Sequence, residues 1–257
     1  RHHIEKAFGP LCELFPDGES GVQGGGKPYR YTSDDDRDPL PDERTAQWAV
    51  DVLYRQHDRP FFLGVGFMKP HTPLNAPSKY FDMFPPDKLE LPPLLAGDLD
   101  DCARALVEHR PYGFLTYGLL MKGGESLWRE WLQAYLACIA FMDDQLGKVL
   151  SGLEGSPYHD NTIVVFTSDN GYHMGEKEYI FKDSLWEESC QIPLVIRAPG
   201  QAQEDRECLT PVSLVDIYPT LVDLCGLPPE PNSGTNGREL DGHSLSQLLN
   251  HPDPGIW

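Results

Sequence analysis

The 257-residue chain is 40% hydrophobic and 24% charged, ordinary usage for a globular protein long enough to bury a sizeable core. It carries 40 acidic against 21 basic residues, a formal charge of −19 at pH 7, so its summed field repels polyanions and excludes a broad nucleic-acid-binding face. No apolar run reaches the roughly 18 residues of a membrane-spanning helix, and the six scattered cysteines show neither a C-x-x-C pair nor a zinc-like spacing.

Residues 1–41 are rich in Gly, Pro and Asp without a period of 2 or 3.6, which predicts an irregular surface segment. From Pro41 a helix is expected, with Asp42 as its N-cap, Ala46, Ala49, Val50, Leu53 and Tyr54 on one face, and an end near His57. Residues 61–66, Phe-Phe-Leu-Gly-Val-Gly, form a continuous apolar run that predicts a strand buried on both faces. Lys69, Pro70, His71 and Pro73 follow at its carboxyl end, the edge at which open α/β sheets bind ligands. Residues 84–127 have weak periodicity and are expected to be irregular, either an excursion or an insertion facing substrate. Trp128, Trp131, Leu132, Tyr135, Ile139, Met142 and Leu146 then recur at steps of three and four, predicting an amphipathic helix over residues 127–153.

A second buried strand is predicted over residues 161–167, ending in Ser168-Asp169-Asn170-Gly171, and a third over 193–197. A helix over 214–225 closes at Gly226 and Pro228, and a short one spans 243–250. This alternation predicts the α/β class: a mostly parallel sheet covered by helices. The chain divides into an irregular segment (1–41), an α/β core (42–200) carrying the 84–127 insertion, and C-terminal helices with a tail (201–257). Cys138 and Cys225 lie in apolar helical patterns and are expected in the core; a single disulfide among the remaining cysteines stays open.

Four polar features fall in strand-end loops: Lys69 with His71, Asp169 with Asn170, His173, and Lys182. Asp-Asn after a strand is commonly only a turn former, but here it offers two hard oxygen donors at a sheet edge, half of a calcium or magnesium shell. The prolines on either side of His71 restrict its backbone and fix where the imidazole sits. Lys182 alone would read as a solvated surface charge. Together, a metal ion, an imidazole and an ammonium suit a tetrahedral anion and the charge that develops on its leaving oxygen.

The segments 61–73, 167–177 and 181–187 resemble the sulfatase family, most closely its iduronate-2-sulfatase-like branch. Further agreement comes from 135–147, 195–200 and 213–221, so the likeness runs from about residue 41 to 250. The resemblance implies an alkaline-phosphatase-like α/β fold that hydrolyses sulfate esters, on a sulfated sugar or uronic acid, with Ca2+ and a formylglycine nucleophile made from Cys or Ser. It implies that Asp169 and Asn170 are calcium ligands, that His71 contacts the sulfate or leaving oxygen, that Lys182 binds a sulfate oxygen, and that His173 and Lys69 line the substrate pocket.

The departure is equally clear. No Cys or Ser here begins the Cys/Ser-x-Pro-x-Arg pattern in which formylglycine is installed, and the Asp-Asp pair that would complete the calcium shell is missing. The expectation is therefore a later portion of a sulfatase catalytic domain, inactive alone and partnered by the missing N-terminal portion of the same enzyme. A phosphoesterase or phosphonate hydrolase on the same scaffold is the competing enzymatic reading. A non-catalytic sulfatase-like glycan-binding protein is the reading from another class. The expected location is periplasmic or secreted, or lysosomal in a eukaryote, and neither a nucleic-acid partner nor a membrane span is expected.

Overall fold

The structure, a computed structural model, describes residues 31–33, 36–108, 112–202, 205–229 and 237–251. These belong to two compact units, Arg1–Tyr158 with Asn170–Gln191, and His159–Asp169 with Ile192–Trp257. Most of the 1–41 segment, Cys12 included, lies outside the described residues.

In the first unit β1 (Tyr31–Ser33) and β2 (Asp36–Arg37) pair antiparallel. Helix α1 (Pro41–Leu53) opens with a proline at its first turn, where a missing N–H costs nothing. Its N-cap is Leu40, not Asp42, and the helix ends at Leu53, a turn before His57. Glu43 accepts the Leu40 N–H at 2.8 Å, while the Asp42 carboxylate is drawn away to the backbone of residues 68 and 69. Ala46, Ala49 and Leu53 are buried where α1 packs on α4. Gly152 of α4 lets the two helices approach, since a Cβ there would lie 2.9 Å from Val50.

The short helices α2 (Ser78–Phe81) and α3 (Arg104–Glu108) precede α4 (Tyr112–Glu154). Helix α4 is broken at Gly124, whose φ of 74° and ψ of −175° are non-helical, so it is two helical stretches in sequence. The 84–127 segment is thus not irregular throughout: it holds a 3-10 turn at Pro86–Lys88, α3 and the first stretch of α4. Glycines 113, 118 and 123 weaken the helical signal there. Gly113 is glycine because the Tyr179 ring occupies the place of its side chain, 2.3 Å from where a Cβ would stand. The second stretch matches the predicted amphipathic helix. It buries Trp128, Trp131, Ala134, Ala137, Cys138 and Phe141 with Leu40, Leu74, Ala76, Tyr80, Phe81 and Ile180, the main core of the unit.

Residues 61–66 are a correction. They form no strand ladder among the described residues, and half-buried Phe61, Leu63 and Val65 alternate with exposed Phe62, Gly64 and Gly66. The two-residue period of a strand is there, but one face finds no cover, where an unbroken apolar run predicts burial on both.

In the second unit β3 (Val164–Thr167) and β4 (Leu194–Arg197) match the expected strands. They pair antiparallel, with Val164 opposite Arg197 and Thr167 opposite Leu194, so the mostly parallel sheet is not what the described ladders form. A 3-10 turn at Leu214–Asp216 leads into α6 (Ile217–Leu224), and α7 (Ser246–Asn250) packs against it. Buried Asp216 accepts the N–H groups of Ser213 at 2.8 Å and His243 at 2.9 Å, and Thr220 Oγ1 accepts that of Leu245 at 2.8 Å. Gly226 adopts φ 61° just past α6, the left-handed stop the sequence predicts. Cys225 is exposed at the helix end, not in the core, because the apolar stripe of α6 stops one turn earlier. The five described cysteines are all free thiols.

Candidate functional site

The loop that carries His71 is built on two anchors. Asp42 accepts the N–H groups of Met68 at 2.9 Å and Lys69 at 3.0 Å, and its charge sits in the first turn of α1, where the helix dipole favours an anion. The Lys69 ammonium turns back on its own loop, donating to Asn75 Oδ1 at 2.6 Å and to the Pro73 carbonyl at 2.5 Å. Lys69 is buried. Among the described residues its ammonium holds the loop together.

His71 is exposed, with its N–H on the Met68 carbonyl at 2.9 Å. Its Nδ1 lies 2.6 Å from the Thr72 carbonyl. A carbonyl only accepts, so Nδ1 is assigned the proton and Nε2 is the nitrogen left for an outside partner.

A hairpin-like excursion of the chain returns Lys182 toward the segment that follows Asn170. His173 N–H donates to the Phe181 carbonyl at 2.9 Å and Gly175 N–H to that of Tyr179 at 3.1 Å, so Lys182 returns opposite Tyr172. The tip is tight: Lys177 and Glu178 have φ of 56° and 51°, a left-handed conformation that non-glycine residues adopt only when held. Asp98 holds it, accepting the Lys177 N–H at 2.8 Å and pairing with its ammonium at 2.9 Å. Those hydrogen bonds raise the Lys177 pKa and lower that of Asp98. Ile180 is fully buried in the α4 core and its N–H reaches the Gly113 carbonyl. Lys182 is half-buried; its carbonyl accepts the Tyr179 hydroxyl at 3.0 Å, and its ammonium has no protein partner among the described residues.

Behind this hairpin stands α5 (Glu187–Cys190). Gly171 donates to the Ser189 carbonyl at 2.8 Å and lies so close that a Cβ would stand 2.1 Å from the Glu188 carbonyl oxygen. His173 has no exposed surface, its Nε2 lying 2.9 Å from Ser184 Oγ. Its ring is enclosed by the hairpin and α5, so within the described residues it faces the interior. Burial lowers its pKa despite the opposing charges of Glu188 and Glu176, so the ring is neutral near pH 7.

Tyr172 and Phe181 flank the site and join Trp131 and Tyr135 in one aromatic cluster, with Trp131 stacked on Tyr135 at 5.8 Å. Burial pushes the Tyr135 hydroxyl up to about 12. The His71 loop and the hairpin rest on the same core, through Leu74 and Ile180, without a hydrogen bond between His71 and Lys182. Asp169 ends the segment that follows β3 and is exposed, with no hydrogen bond to its carboxylate among the described residues. No group of three or more His, Cys, Asp and Glu side chains gathers to hold a metal among the described residues. Asp42, Asp98, Ser184 and Ser189 escape a reading of motifs because their contacts cross long stretches of sequence or run through the backbone.

The sequence pattern of the sulfatase family matches residues 15–227. The chain belongs to the sulfatase family. Among its sulfatase relatives, one from Formosa agariphila is 38% identical over 196 residues, covering 73% of this chain and 37% of that one. Iduronate 2-sulfatase of Mus musculus is 28% identical over 265 residues, covering 83% of this chain and 47% of that one. The structure of a phosphonate monoester hydrolase from Agrobacterium radiobacter superposes with a TM-score of 0.66 at 27% identity, covering 94% of this chain and 49% of that one. This sulfatase chain thus has the expected alkaline-phosphatase-like α/β fold, and it spans less than half the length of each of these three proteins.

Proposed function

We propose that the chain forms the later part of a sulfate-ester hydrolase site acting on a sulfated sugar or uronic acid. The observation that carries this reading is the hairpin that sets Lys182, its ammonium unpaired among the described residues, beside the segment that begins at Asn170. The names of the relatives support the substrate class: one acts, by name, on iduronate 2-sulfate.

In this reading the exposed His71 ring, with Nδ1 bound to Thr72, presents Nε2 to the departing oxygen and donates a proton to it in its protonated form. Lys182 compensates the negative charge on the sulfuryl oxygens. Asp169 and Asn170 hold part of a calcium shell; a carboxylate and a carboxamide fit that ion in kind, though calcium takes about six to eight oxygens. The bound ion would supply fixed positive charge, and a formylglycine the nucleophile. The Cys/Ser-x-Pro-x-Arg pattern does not occur in these 257 residues, so in this reading the nucleophile and the remaining ligands come from polypeptide outside them, and the chain by itself is inactive. A periplasmic, secreted or lysosomal location accompanies this reading.

The test is steady-state hydrolysis by the purified full-length protein of an aryl sulfate and a sulfated disaccharide beside an aryl phosphonate monoester. Preferred turnover of the sulfates supports the reading. Preferred turnover of the phosphonate establishes the second reading, which the superposition on a phosphonate monoester hydrolase favours. Binding of sulfated glycan without turnover would establish a non-catalytic role.

A further inference from the structure

We propose that His173 is a positioning residue, which locks the turn after Lys182 onto the segment after Asn170 through Ser184 and Ser189. The inference rests on the sulfatase reading only for the activity it predicts. Directly after Lys182, Asp183 has φ 65°, a left-handed conformation that a non-glycine residue keeps only where neighbours hold it. Its neighbour Ser184 is the held residue. Its hydroxyl donates to Ser189 Oγ at 2.8 Å and accepts from Trp186 N–H at 3.3 Å.

His173 Nε2 lies 2.9 Å from the same hydroxyl, so Ser184 joins the ring to Ser189. On the other side of the ring the Glu188 carboxylate stands 3.9 Å from Nδ1. Tyr179 and Trp186 pack edge-on against the ring at centroid distances of 5.2 and 5.6 Å, which fixes its plane. From Ser189 the chain continues through its carbonyl to the Gly171 N–H. A single buried ring therefore ties both ends of the hairpin to α5. The Ser184 and Ser189 hydroxyls have no other function in the site as described.

The experiment compares His173→Gln, His173→Phe, Ser184→Ala and the His173→Phe/Ser184→Ala double variant in the full-length protein. Turnover and amide hydrogen exchange at Gly171 and Trp186 are both measured. Glutamine keeps a hydrogen-bonding amide near the position of Nε2; phenylalanine keeps only the ring. A displacement of about 1 Å lowers kcat by roughly 10- to 100-fold, so H173F and S184A are expected to fall by that factor with KM changed less. The double variant falls no further than the worse single one, and H173Q recovers most of the loss. Exchange at Gly171 quickens at least tenfold in S184A while the α4 amides are unchanged.

If H173F does not fold, S184A and H173Q decide alone. If the wild type cleaves no sulfate ester, the functional reading fails and amide exchange still decides the positioning role. Wild-type exchange at Gly171 in S184A, or H173Q as impaired as H173F in an active enzyme, would overturn the proposal.

Discussion

Replacing Gly171 by alanine puts a Cβ 2.1 Å from the Glu188 carbonyl oxygen and 2.7 Å from that of Gln191. Side-chain carbons essentially never come within 3.0 Å of another heavy atom, so α5 or the hairpin must retreat by about 1 Å. Overpacking of this kind costs about 1–3 kcal/mol. The retreat also breaks the 2.8 Å bond from Gly171 N–H to Ser189, and stranding a buried donor costs about 1–3 kcal/mol more. The expected destabilisation is about 2–6 kcal/mol. With a urea dependence of about 3 kcal/mol per molar for a chain of this size, the unfolding midpoint falls by about 0.7–2 M. The same displacement moves Asn170 against Lys182, so sulfate-ester turnover drops in the folded fraction as well. A midpoint within about 0.2 M of the wild type would refute the close-approach account.

Gly118 gives the opposite sign: a Cβ in that helical position meets nothing within 4 Å, so Gly118→Ala should stabilise by about 0.5–1 kcal/mol in the same urea titration. Asp42→Ala strips the acceptor from Met68 and Lys69 N–H and should cost about 2–4 kcal/mol, read as a lowered Tm with faster amide exchange in the His71 loop. The Glu43 carboxyl is pushed up by burial, yet the Arg37 hydrogen bonds at 2.6 and 2.7 Å and the Leu40 N–H hold it below its ordinary value of 4.5. Its folded pKa being the lower one, the stabilisation is complete above the unfolded value and is lost as pH falls through the folded value. Glu43→Gln should therefore lower stability at neutral pH and flatten the acid limb below pH 4.5 in a series of thermal melts.

What the sequence makes legible is whatever repeats locally. The α4 stripe from Trp128 to Phe141 announces itself because its core contacts lie three and four residues apart. Strands β3 and β4 are legible as apolar runs, but their antiparallel pairing is not, since register and direction depend on a partner 26 or more residues away. The first stretch of α4 is hidden by glycines whose reason, the Tyr179 ring on Gly113, comes from a distant segment. In the site, the motif Asp169-Asn170-Gly171 and Lys182 can be picked out, but what each does locally cannot. Lys69 and His173 carry functional chemistry in their side chains, and only burial shows that Lys69 closes a loop and His173 is packed inside a hairpin. A side chain's type states what it is able to do, and its neighbours decide whether it is free to do it.

The central claim is that Lys182, returned by the hairpin to the segment that follows Asn170, neutralises charge on a sulfate ester. The most direct measurement is kcat/KM of the full-length protein for an aryl sulfate, in the wild type and in Lys182→Ala, with folding checked by circular dichroism. Loss of one such charge-stabilising group predicts a fall of about 100- to 1,000-fold. An active wild type whose folded Lys182→Ala variant turns over the sulfate at an unchanged rate would contradict the account.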